Sequence, residues 1–89
     1  MQSPRTVELV YLARLRETFG TSRESYDLPA HVTTVAELQR ELAARGGPWA
    51  RELASGRVLR VAVNHDVVHP ASPVAPGDEV AFFPPVTGG

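Results

Sequence analysis

The residues with the clearest chemical potential are the last six, Pro84-Pro85-Val86-Thr87-Gly88-Gly89. A C-terminal glycine offers a carboxylate with no Cβ beside it, and two glycines in a row adopt backbone angles closed to other residues and fit a narrow passage. The two glycines leave that carboxylate sterically open. Pro84 and Pro85 supply the stem, because fixed φ and a missing N–H end a strand and project the remaining residues in a stiff, extended form. At about 3.3 Å per residue, six residues reach roughly 20 Å, far enough to enter a partner's active site. Gly-Gly alone is equally well read as a frayed tail. Its place after Pro-Pro and a strand favours a working tail.

Other chemistry finds little support. With no cysteine there is no disulfide framework, thiolate metal site, persulfide side chain or cysteine nucleophile, so any sulfur chemistry must use another group. His65 and His69 are four apart with Asp66 between them, but a turn-and-strand setting does not bring both to one face as a helix would, and surface histidines without a metal are expected. No nucleophile elbow, hydrolytic carboxylate pair or glycine-rich phosphate loop is present, so activity in isolation is not expected. All nine basic residues are arginine. Apart from the N-terminal amine, the chain therefore has no amine to attack its own activated carboxyl. Arg14, Arg16, Arg57 and Arg60 are best read as solvated. Any of them could meet an acidic partner or help guide an anionic substrate.

A net charge of -1 does not indicate the even basic field of a nucleic-acid binder, although it leaves room for a local patch, and nucleic acid is not an expected partner. No apolar run approaches the roughly 18 residues that cross a bilayer, and Met1-Gln2-Ser3-Pro4-Arg5 lacks a signal-peptide core. A cytoplasmic location is the expectation.

The elements that would position the tail follow from periodicity, and the 89 residues suit one small domain. Thr6 to Leu12 alternates as a strand, with Val7, Leu9 and Tyr11 on one face and Val10 and Leu12 on the other. Ala13 to Phe19 reads as a short helix stopped by Gly20. Ser22 to Leu28 reads as a weaker strand. Thr34 and Glu37 have capping-box spacing ahead of an apolar stripe of Val35, Leu38 and Leu42, and Gly46-Gly47-Pro48 closes that helix. Trp49 and Leu53 suggest another helical piece, with Trp49 as a core anchor. Val58 to Val63 alternates, Asn64-His65-Asp66 turns, and Val67 to His69 returns as a short strand. Pro70 to Asp78 is a loop, and Glu79 to Phe83 the final strand. One sheet on one main helix is the economical α+β architecture. If the last strand alternates, either Phe82 or Phe83 enters the core and the other is left for a partner.

The stretch Gly77-Asp78-Glu79-Val80-Ala81-Phe82-Phe83-Pro84-Pro85-Val86-Thr87-Gly88-Gly89 closely resembles the end of molybdopterin synthase small subunits, and Ala62-Val63-Asn64 resembles that family's strand-and-turn segment. The order of elements agrees over nearly the whole chain, with the tail as the specific part. The resemblance implies a ubiquitin-like β-grasp fold and a sulfur-carrier role in molybdenum cofactor biosynthesis. An E1-like enzyme would use ATP to form a glycyl adenylate at Gly89. A sulfur donor such as a cysteine desulfurase or rhodanese would convert it to a thiocarboxylate, or thioglycine, for delivery to cyclic pyranopterin monophosphate.

By the same resemblance, Gly89 carries the reacting group and Gly88 gives clearance. Phe82, Phe83, Pro84, Pro85, Val86 and Thr87, with Arg57 and Arg60, meet the partner. That partner is a large subunit in a complex of two small and two large chains. No cofactor or metal is expected on this chain. The rival readings are a carrier for thiamine thiazole, tRNA thiolation or cysteine synthesis, and a β-grasp interaction module with an inert tail.

Overall fold

The computed structural model describes residues 5–54 and 59–84. Its element order is β1 (Thr6–Tyr11), α1 (Arg14–Phe19), β2 (Arg23–Asp27), α2 (Val35–Ala43), α3 (Gly47–Leu53), β3 (Arg60–Val63), β4 (Asp66–Val67) and β5 (Glu79–Phe83). The five strands form one mixed sheet in the order β2-β1-β5-β3-β4, so the last strand is the central one. It runs parallel to β1 and antiparallel to β3.

Strand alternation sorts the side chains as the sequence suggested. Val7, Leu9 and Tyr11 of β1, Val61 of β3, and Val80 and Phe82 of β5 enter one core with Leu15, Val35, Leu38, Leu42 and Leu53 from the helices. Fully burying each such side chain contributes about 1.5–3 kcal/mol from removal of apolar surface. Trp49 packs against this core, stacking on Phe19 at 3.8 Å between ring centroids, and the Arg45 guanidinium lies 4.4 Å over its ring.

The ends of α2 show why this stretch is helical. Thr34 Oγ1 accepts from the Glu37 N–H at 3.2 Å while the Glu37 carboxylate accepts from the Thr34 N–H at 3.1 Å, closing the expected capping box. Two further orphan amides of the first turn are satisfied by the loop before β5: Val35 N–H donates to Ser72 O and Ala36 N–H to Pro70 O. That loop has no regular element, yet it buries Val74 and ties Pro73 to Thr34. Gly20 ends α1 at φ 75, and its N–H donates to Arg16 O, a left-handed cap that glycine takes without Cβ strain.

The β3–β4 hairpin is tighter than expected. Asn64 and His65 both have positive φ, 50° and 76°, and form a two-residue turn, so Asp66 already pairs with Val63. Asn64 fastens this turn to β5. Its Nδ2 donates to Asp78 Oδ1 at 3.0 Å, and its Oδ1 accepts from the Glu79 N–H at 3.0 Å.

Candidate functional site

The site is the end of β5 from which the tail departs. Of the residues assigned there from the sequence, Phe82, Phe83, Pro84 and Arg60 are described; Arg57, Pro85, Val86, Thr87, Gly88 and Gly89 lie outside the described residues. Phe82 is 0% exposed and stacks beside Tyr11, with ring centroids 6.3 Å apart. Its side chain is therefore core and is withdrawn from the partner-facing set, because a ring enclosed in the core has no surface left to offer. Strand alternation turns the half-buried Phe83 to the opposite face, where it sits across from the exposed Arg60.

That outward face carries an apolar row. Val10, Ala81, Ala62 and Val67 are successive cross-strand neighbours on β1, β5, β3 and β4, and Val67 is 64% exposed. Leu12, 43% exposed, follows β1 at the end where the tail leaves. Alternation along the sequence puts Val10 and Leu12 on this face without giving them a role. The available signal was a second pair of apolar residues, Val10 and Leu12, at the end of β1 on the face opposite Val7, Leu9 and Tyr11, where one-sided burial does not require them.

Charges surround the row rather than interrupt it. Arg23 reaches Glu8 at 3.3 Å and Glu79 at 3.7 Å. Arg14 is engaged by Glu52 at 2.9 Å, bracing α1 against α3. His65 lies 3.7 Å from Glu79, while His69 Nδ1 accepts from the Ala71 N–H at 3.1 Å, so the two histidines have separate local contacts. Among the described residues no group of three potential metal ligands comes together, and no helix is long and apolar enough to cross a membrane.

Behind the site, Tyr11 links β5 to the rest of the core. Its hydroxyl donates to Glu24 Oε2 at 2.8 Å, and Arg45 holds the same carboxylate with bonds of 2.9 and 3.0 Å. Burial and the neighbouring Glu24 carboxylate push the Tyr11 phenol far above its ordinary value. Burial also acts to raise the Glu24 carboxyl, but hydrogen bonds from Arg45 and Tyr11 outweigh it and hold the group below the ordinary carboxylate value.

The ThiS family model matches residues 9–89, which include the whole tail and all of the sheet but the start of β1. The chain belongs to the ThiS family. Two curated relatives are each named molybdopterin synthase sulfur carrier subunit. That of Escherichia coli is 41% identical over 93% of this chain and 99% of its own length. That of Haemophilus influenzae is 37% identical over the same shares. A solved structure from Pyrococcus furiosus, described as a putative molybdopterin converting factor, subunit 1, superposes with a TM-score of 0.75 at 29% identity, covering 92% of this chain and 99% of that one. The ubiquitin-like β-grasp expected of this ThiS-family chain is the observed fold, one mixed five-stranded sheet with its helices.

Proposed function

We propose that this chain is the sulfur carrier of a molybdopterin synthase, with the Gly89 carboxylate as the group that is activated, thiolated and used. The observation that carries this is the pairing of a family match running through Gly89 with two curated relatives of the same name across nearly their full length. Family membership alone supports a sulfur carrier; the shared name of the relatives favours the molybdopterin pathway over carriers for thiamine thiazole, tRNA thiolation or cysteine synthesis.

The chemistry is a two-step exchange at one carbon. An E1-like enzyme transfers AMP from ATP to a Gly89 oxygen, releasing pyrophosphate and making the carboxyl electrophilic. A donor sulfur at the hydrosulfide level then displaces AMP and leaves a thiocarboxylate, anionic at neutral pH and a soft nucleophile. Two deliveries of this sulfur to cyclic pyranopterin monophosphate, bound by a large subunit, build the dithiolene. The work takes place in the cytoplasm.

The fold suits this division of labour. The tail leaves from the central strand, held by neighbours on both flanks, so a partner that grips the sheet fixes the origin of the reacting arm. The outward row from Val10 to Val67, with Leu12 and Phe83, gives a large subunit an apolar surface continuous with that origin. Reconstitution tests the proposal: thiocarboxylated protein, a large subunit and cyclic pyranopterin monophosphate should yield molybdopterin. Any one omitted, or the carboxylate form substituted, should yield none. Product from the unmodified chain alone would remove the proposal's basis.

A further inference from the structure

The central position of β5 gives it a ladder to leave on each flank, and the hydrogen bonds toward β1 show how one is ended. In a parallel pair, every second residue both donates to and accepts from its neighbour. Glu8 N–H donates to Asp78 O at 3.0 Å and Leu12 N–H to Phe82 O at 3.1 Å, so the β5 positions facing β1 are the even-numbered ones. The next is 84. A donor there would meet Leu12 O, which among the described residues accepts from the Leu15 N–H at 3.2 Å and has a second lone pair open. Proline has no such donor. β1 turns away at this point, with Ala13 at φ 54° and ψ -134°.

We infer that Pro84 is a positioning residue whose missing N–H withholds the last rung of the β1·β5 ladder, the bond from position 84 to Leu12 O, and so frees the tail root where β1 turns away. This assigns Pro84 a role distinct from stiffening: a residue with a donor at 84 would extend the sheet toward Leu12 and redirect the arm. The functional consequence rests on the sulfur-carrier reading; the structural one does not.

Two variants made by total chemical synthesis separate the roles. Pro84→Ala restores the N–H, whereas N-methylalanine at 84 lacks both ring and N–H. Amide exchange in Pro84→Ala should show the new N–H at position 84 protected about 5-fold or more over an unstructured amide, the effect of one net backbone hydrogen bond. After thiocarboxylation, sulfur transfer by Pro84→Ala to the substrate on a large subunit should fall about 10-fold or more, mainly in kcat, as expected for a misdirected reacting group. N-methylalanine should restore it to within about 3-fold of the parent, a smaller change than the misplacement effect. A new amide that exchanges at the unstructured rate, or an N-methylalanine chain as slow as Pro84→Ala, overturns the inference. If the parent chain itself transfers no sulfur, the sulfur-carrier reading fails, and the exchange result still decides the ladder stop.

Discussion

Tyr11 donates its phenolic proton to Glu24 across the β1–β2 pair at 2.8 Å, from a ring that is itself wholly enclosed in the core. The same carboxylate receives both bonds from Arg45, whose guanidinium lies over Trp49, so one acid joins the strand beside β5 to the segment after α2.

This network predicts an acid-sensitive stability. The folded-state pKa of Glu24 lies below its ordinary value of 4.5, so as pH falls past 4.5 the unfolded chain takes up the proton first. Its contribution is fully present above that value and lost as pH falls through the lower folded value. The stability difference between the parent and Glu24→Gln, read from urea unfolding, should shrink between pH 5 and pH 3, a window set about the ordinary carboxylate value. A difference constant across that range would contradict the assignment.

The turn between β1 and α1 predicts a stabilising substitution. Ala13 occupies the first central position of a turn closed by the Leu15 N–H on Leu12 O, with φ 54° and ψ -134°, a combination that glycine takes without Cβ strain. Strained backbone of this kind costs on the order of 1–3 kcal/mol, and the added chain entropy of glycine costs about 0.5–1 kcal/mol. Ala13→Gly should therefore raise unfolding free energy by about 1 kcal/mol, because the exposed Ala13 side chain has little packing to lose. A loss of stability in denaturant titration would count against this.

A smaller gain is expected in the hairpin. His65 is held at φ 76° in a turn whose second central position favours glycine, and its side chain is 83% exposed. His65→Gly should stabilise by about 0.5 kcal/mol and leave sulfur transfer unchanged, since the ion-pair contact it loses among the described residues is the weak one with Glu79 at 3.7 Å. A marked fall in transfer would assign His65 a part in the reaction.

Much of the scaffold is legible in the residues. The Thr34–Glu37 pair, the apolar parity of β1, the bounds of β5 and the stop at Gly20 each rest on local chemistry that the fold retains. The choice between Phe82 and Phe83 was not legible, because two adjacent aromatics carry no parity until neighbouring strands fix the register. Ala13 was silent for a different reason: alanine gives no signal of positive φ, and only the combined demands of the β1·β5 ladder and α1 place it there. The hairpin began one residue early because a two-residue turn, rather than strand propensity, sets its register. The loop from Pro70 to Asp78 reads as irregular, and is, but its carbonyls complete the start of α2.

The central claim is that Gly89 carries sulfur, and intact-mass analysis of the protein purified from its native host under sulfur-replete growth tests it most directly, with a Gly89-deletion variant and melting curves alongside. We expect a population in which one C-terminal oxygen is replaced by sulfur. The deletion draws the carboxylate back by about 3.3 Å along an extended chain, and displacements of about 1 Å already cost on the order of 100-fold in rate, so the variant should carry no sulfur while melting with the parent. Absence of the sulfur form in the parent, or a deletion variant still thiolated and active at the parent's rate, would contradict the account.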